Sequence, residues 1–176
     1  GSVQAGTDMQ DMIQLKEEIR ELVTSQGALV FGVASMEEVD KRCPPGFRPS
    51  DYLEGAQSVI MFGFILSTAG AIKASKATTQ SIAAHHGMKH CFATNAIISH
   101  ALEKKFGYLV TGLPGLPATG DFDPNISLKA CAEAAGLGMR ALSTLIINPE
   151  YGPRLFYSGV VTTAKLPADE PLTRNP

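Results

Sequence analysis

The sequence predicts an α/β or α+β sandwich, with a mixed sheet flanked by helices and a C-terminal β-hairpin. Three observations carry this. Helical and strand patterns alternate through the first half of the chain. Apolar runs of strand length recur, and two of them close the chain around a tight turn, "NPEYG" at 148–152. No internal repeat or domain-scale linker interrupts the 176 residues, a length that supports one domain with its own core.

The elements follow in order. Residues 1–10 are polar, and Gly1 and Ser2 read as the remnant of a removed tag. A disordered start over 1–10 and a single domain over 11–176 are therefore expected. Ile13, Leu15, Ile19, Leu22 and Val23 recur near helical spacing, and Gly27 supplies the stop. "ALVFGVA" (28–34) is a short apolar strand, after which Ser35 can cap a brief helix running to Val39. "CPPGFRPSDYLEGA" (43–56) predicts loop, because its three prolines and two glycines sustain neither regular form. "SVIMFGFIL" (58–66) is too short to span a membrane and rich in β-branched residues, so it predicts a buried strand.

"STAGAIKASKATTQ" (67–80) is small and polar, suited to a flexible excursion or a lid. A long helical pattern runs from about 80 to 106 and ends at Gly107; "YLVTGLP" then predicts a third strand or extended segment. A Gly/Pro-rich loop leads to Ser127, which can cap a helix through Ala135 with Gly136 beyond it. The strands "STLIIN" (143–148) and "RLFYSGVVTTA" (154–164) are expected to pair around "PEYG".

Composition narrows the function. With 44% hydrophobic and 18% charged residues the chain is globular, and a net charge of −2 offers no basic surface for nucleic acid. No apolar run approaches the ~20 residues of a membrane span. Cys43, Cys91 and Cys131 are far apart with no C-x-x-C. They predict partly buried free thiols in a reducing, cytoplasmic setting and no metal site.

The stretch 133–152 carries the most local chemistry. Gly136 and Gly138 allow positive φ or close approach to the backbone, Ser143 and Thr144 offer hydroxyls, and Asn148, Pro149 and Gly152 set a turn. Read locally, this is either a helix stop joined to a hairpin or a cradle for a ligand. "GLG" is too short for a dinucleotide fingerprint and follows a helix instead of opening one.

The run "AGLGMRALSTLIINPEYGPRLFYSGVVTTAKLPADEPL" (135–172) resembles the corrinoid-binding domain shared by reductive dehalogenases and epoxyqueuosine reductases. It keeps that family's AGLG turn (Ala135 to Gly138), its "LIINPEYG" strand and turn (Leu145 to Gly152), and Leu166, Asp169 and Pro171 of its closing motif. "GFRPSDYLEGAQSVIMFGF" and "LEKKFGY" are similar to family segments upstream, so the likeness covers about 15–172. The resemblance implies a nitroreductase-like sandwich holding a base-off cobalamin between the sheet and the AGLG-hairpin region. Carried onto this chain, it places Ala135, Gly136, Leu137, Gly138, Met139, Ser143, Ile147, Asn148 and Tyr151 around the corrinoid. It implies a reductase drawing on a ferredoxin-type electron donor, and tRNA as a partner only on the epoxyqueuosine reductase side.

The chain departs from the pattern in places. The family's ferredoxin-type cysteines, ligands for [4Fe–4S] clusters, would follow the closing motif; the sequence stops at Pro176 and holds none of them. It is expected to be either cut before that part or a stand-alone domain. Thr162, Thr163 and Ala164 replace an acidic step, and "GMRALS" lacks a family lysine, with Arg140 nearby. Where the family places its proton donor, this chain has "AHHGMKHCFATNAIISHALEKKFG". On a helix, His86, His90, Ala93, Ile97 and His100 fall on one stripe, read as facing inward, which nominates His86 and His90 as proton donors lining the corrinoid pocket. The alternatives are a non-catalytic corrinoid carrier or processing protein, and a flavin-binding nitroreductase-like domain.

Overall fold

The computed structural model describes residues 9–65, 77–113, 127–142 and 146–173, with the side chains of the long helix described from residue 86. The expected disordered start up to residue 8, most of the 67–80 excursion and most of the Gly/Pro-rich loop lie outside the described residues.

Helix α1 (Met9–Ser25) buries Leu15, Ile19 and Val23, one residue per turn, and Gly27 follows with φ +96°. Strand β1 (Val30–Ser35) runs into α2 (Met36–Asp40), where the Ser35 hydroxyl accepts the Glu38 N–H as the predicted cap. One turn of helix, α3 (Pro49–Tyr52), stands where loop was expected. Proline at a first helical turn loses no intrahelical bond, and the Asp51 carboxylate accepts the Arg48 N–H at 2.9 Å. Strand β2 (Ser58–Ile65) precedes the long helix α4 (Ala77–His100), which continues as a π-helical turn (Ala101–Lys105). Strand β3 (Val110–Gly112), α5 (Leu128–Ala134), the two-residue strands β4 (Met139–Arg140) and β5 (Ile146–Ile147), and β6 (Leu155–Thr162) complete the order.

The main sheet has the order β1-β2-β6-β3, and every described pairing is antiparallel, not mixed. Among the described residues, no strand pairing joins 146–148 to 154–164 as the expected hairpin would. Strand β6 lies in the middle of the sheet, with Gly159 opposite Met61 and Val160 opposite Ile60, and β5 pairs back onto β4 (Met139 with Ile147). The reason is burial. Residues 158–162 are buried on both faces, which only a central strand can satisfy.

Two cores follow from strand alternation. Phe31, Val33, Ile60, Phe62, Phe64 and Val160 face α1 and α4. Ala34, Val59, Met61 and Val161 face the other way, onto α2 and α5. Gly32 lies on this second face; a Cβ there would meet the Ala135 carbonyl at 2.6 Å, so glycine lets the end of α5 rest directly on β1.

The edge of β1 is capped by the C-terminal segment. Asp169 donates its N–H to the Val33 carbonyl and accepts the Val33 N–H through its carboxylate, both at 2.8 Å. Lys16 of α1 closes on the same carboxylate at 3.0 Å and on the Pro167 carbonyl at 2.9 Å. An exposed sheet edge is thereby covered by the chain's own strap. No helix among the described residues is long and apolar enough to cross a membrane.

Candidate functional site

The 135–152 segment folds into one clamp. Helix α5 starts under the Ser127 hydroxyl, which accepts the Ala130 N–H at 3.1 Å. It ends in a Schellman motif: Leu137 N–H reaches the Ala132 carbonyl at 3.0 Å, and Gly136 N–H reaches Glu133 at 3.1 Å, with Gly136 at φ +77°. A Cβ on Gly136 would sit 2.4 Å from the Glu170 carbonyl of the strap. Gly138 has no positive φ; its missing side chain leaves room for Ile146 and the Ile147 carbonyl, which a Cβ would meet at 2.4 and 2.8 Å. Both glycines thus serve close approach of the protein to itself.

Asn148 holds the two halves together. Its amide donates to the Leu137 carbonyl at 2.6 Å, and its Oδ1 accepts the N–H groups of Glu150 and Tyr151 at 2.9 Å each. Asn148 and Gly152 also exchange both backbone bonds at 2.9 Å. The asparagine expected to meet a ligand amide therefore spends its side chain on the AGLG turn. Below the clamp, Glu133 accepts from Arg42 at 3.1 Å and from the Arg140 N–H at 2.9 Å, and Arg42 also reaches Glu38 at 2.7 Å. Arg42, then Lys41, hold the Glu38 carboxyl below its ordinary range.

Of the residues nominated around the ligand, Ala135, Gly136, Leu137, Gly138, Met139, Ile147, Asn148 and Tyr151 lie in two segments that the structure joins through Met139–Ile147 pairing and the Asn148 bonds. Ser143 lies outside the described residues. Two apolar side chains of this hairpin are exposed, Leu142 fully and Ile147 partly, beside exposed Arg140. On the same side of the sheet, Tyr157 packs against the core of Ala135 and Leu137, and its buried hydroxyl has no hydrogen-bond partner among the described residues. Burial pushes that phenol up to about 12.

The histidines lie elsewhere. The buried stripe of α4 is Cys91, Thr94 and Ile98, continued by Leu102, one position out of phase with the stripe expected; His86, Ala93 and His100 are exposed. Polar Thr94 turns inward because its hydroxyl donates to the His90 carbonyl at 2.8 Å. The His90 ring lies 4.0 Å from Phe64, centroid to centroid, and its Nε2 donates to the Gln26 carbonyl after α1. Phe64 belongs to the α1/α4 face and Leu137 to the opposite face. The sheet separates His90 from the clamp, so the two do not share a cavity, as the histidine stripe had suggested. Two open grooves, of about 480 and 570 Å³, flank α1 and Phe106 and likewise avoid the clamp.

No family model matches the chain. It is 25% identical over 163 residues to the epoxyqueuosine reductases of Bacillus anthracis and Bacillus cereus, covering 89% of this chain and 40% of each relative. The chain is a distant relative of the epoxyqueuosine reductases. Its fold matches a solved epoxyqueuosine reductase from Bacillus subtilis with a TM-score of 0.69 at 19% identity, over 93% of this chain and 49% of that one. It also matches a reductive dehalogenase, whose structure addresses B12-dependent dehalogenation, with a TM-score of 0.65 at 20% identity, over 91% of this chain and 20% of that one. The chain therefore spans less than half the length of the epoxyqueuosine reductases it matches.

Kinship with the epoxyqueuosine reductases accounts for the extent of the likeness, and the structure adds residues that the motifs did not nominate. Gly32 seats the turn, Glu133 braces it, and Tyr157 leaves a hydroxyl unsatisfied beside it. A glycine inside a strand pattern was a legible signal of close backbone approach. Nothing in the sequence around Tyr157 marked its hydroxyl as orphaned.

Proposed function

We propose that this chain is a corrinoid-binding domain of the nitroreductase-like type. On this reading it holds a base-off cobalamin against the clamp at 135–151 and works in a reductive reaction like those of epoxyqueuosine reductases and reductive dehalogenases. One observation carries the reading. The two motifs of the family resemblance are locked together by Asn148 next to exposed, apolar Leu142 and Ile147, and Tyr157, whose hydroxyl has no partner among the described residues, packs on the core that holds Ala135 and Leu137. A wide macrocycle rimmed with amides suits such a surface: apolar side chains pack its plane, and a buried hydroxyl without a partner gains one.

Within this reading Met139, Leu142 and Ile147 pack the ligand, Tyr157 meets a polar group of its periphery, and Gly136, Gly138 and Asn148 fix the turn. The bound corrinoid would supply a reducible cobalt. The chain holds three cysteines, one short of a single four-thiolate cluster, so electrons come from a ferredoxin-type donor outside it. A second reading is a corrinoid carrier that needs no electrons.

Titration with cob(II)alamin tests the proposal. Binding should convert the electron paramagnetic resonance spectrum to the form without axial nitrogen coupling. An unchanged spectrum, or coupling to a protein histidine nitrogen, would overturn it.

A further inference from the structure

Helix α1 separates its charges across its width. Its cations are spent on the chain itself: Lys16 closes on Asp169 and the Pro167 carbonyl, and Arg20 reaches Glu17 and lies 4.7 Å from the centre of the Phe31 ring. Asp11, Glu18 and Glu21 share a stripe by their helical spacing and line the other flank. That flank borders the two grooves of about 480 and 570 Å³, which meet at Glu18, Lys105 and Phe106. Their lining is apolar below the acids: Met12 and Leu15 in one, Leu22 and Ala101 in the other, Phe106 in both.

Lys105 stands where the grooves meet. Its ammonium lies 3.2 Å from the Glu18 carboxylate and 5.0 Å from the centre of the Phe106 ring. A cation seated on an aromatic ring and held by an acid thus satisfies Glu18. Asp11 and Glu21, to either side along α1, have no partner for their carboxylates among the described residues. Asp11 suits the first turn of the helix that carries it. Glu21 does not: it lies about one turn from the C-terminal end of α1, where negative charge is unfavourable.

We propose that this groove docks a basic amphipathic helix of a partner protein. The apolar stripe of that helix packs on Met12, Leu22 and Phe106, and its lysines or arginines pair with Asp11 and Glu21. The two acids are ten residues apart on α1, about 15 Å at the helical rise, so the partner's cations stand about three turns apart. A helix suits the site because a ridge of side chains packs between two helical walls, and those walls offer no unpaired backbone for a strand to join. The acidic rim repels an acidic partner or a nucleic acid. Met12, Leu15 and Phe106 belong to the α1/α4 face and the clamp to the other, so the docking stands whether or not the clamp takes a corrinoid.

The test uses the full chain and a labelled synthetic helix of about 14 residues, with leucine on one stripe and lysine elsewhere. One control peptide replaces lysine by glutamate; another keeps the composition and scrambles the leucine spacing. Fluorescence anisotropy should show saturable binding of the lysine helix alone, weakened by added salt. Hydrogen exchange should slow across α1 and 101–108 and stay unchanged across 135–152. Asp11→Lys with Glu21→Lys should weaken binding about tenfold. If that variant melts early, Glu21→Gln, which keeps the shape of the side chain, should still weaken binding about threefold. No saturable binding, equal binding of either control, protection outside the groove, or unchanged affinity in the variants would overturn the docking. So would a dimer of the free chain in sedimentation that Glu21→Lys abolishes, which would give the groove to a second copy.

Discussion

Asn148 donates its side-chain amide to the Leu137 carbonyl at 2.6 Å, joining two turns eleven residues apart in the chain. Asn148 is 7% exposed, so removing the amide leaves a buried carbonyl without its partner. Asn148→Ala should cost about 1–3 kcal/mol of unfolding free energy in urea. Asn148→Asp should be comparable, because its carboxylate keeps the bonds to Glu150 and Tyr151 but cannot donate to Leu137. Wild-type stability in both variants would remove Asn148 from the frame of the site.

Gly136 and Gly152 separate two kinds of glycine requirement. Both have positive φ, +77° and +62°, but only Gly136 is crowded, by the Glu170 carbonyl; a Cβ at Gly152 meets nothing within 4 Å. Gly152→Ala should lose about 1–2 kcal/mol from backbone strain alone. Gly136→Ala should lose clearly more and should loosen the strap, visible as faster proteolysis near residue 170. Equal losses would mean that the strap does not depend on the glycine.

His90 is a pin between α4, Phe64 and the end of α1. His90→Phe keeps a ring against Phe64 and loses the bond to Gln26, while His90→Ala loses both. The alanine variant should be the less stable by about 0.5–1.5 kcal/mol, measured by chemical denaturation. Corrinoid affinity should be unchanged in His90→Phe. A fall in affinity without a fall in stability would bring the histidine back to the ligand.

Alkaline pH should destabilise the fold from about pH 9 upward. Burial raises Cys91 from 9.0 to about 11 and Tyr157 from 10.0 to about 12. Both groups ionise first in the unfolded chain, so the stability present below pH 9 is lost as pH rises through these folded values. Cys91→Ala should flatten the decline between pH 9 and 11. A constant offset with the slope unchanged would assign the alkaline loss to other groups.

Much of this was legible in the sequence, for identifiable reasons. Ser35 and Ser127 cap their helices as read, because a hydroxyl before a helix has few other uses. Residues 58–65 announced a buried strand by being apolar at nearly every position. The partner of β6 was not legible. Adjacent strands around a turn usually pair, and nothing local says that Gly159 and Val160 need neighbours on both sides. The phase of α4 also misled, because Cys91 and Thr94 carry polar atoms yet face the core, while Ala93 is small enough to tolerate solvent. The resemblance nominated the clamp residues, but their reasons lie in packing that no motif spells out: Gly138 leaves room for Ile146, and Asn148 serves Leu137.

Hydrogen exchange with and without cobalamin, in wild type and Tyr157→Phe, tests the central claim most directly. Added cobalamin should slow exchange across 139–142, 146–152 and the strand around Tyr157, and leave α1 and residues 101–108 unchanged. Tyr157→Phe should leave the free domain as stable as wild type or more so, since it removes an unsatisfied hydroxyl, and should bind cobalamin more weakly. Protection confined to the α1 and α4 face, or no protection at saturating cobalamin, would contradict a corrinoid held against the clamp.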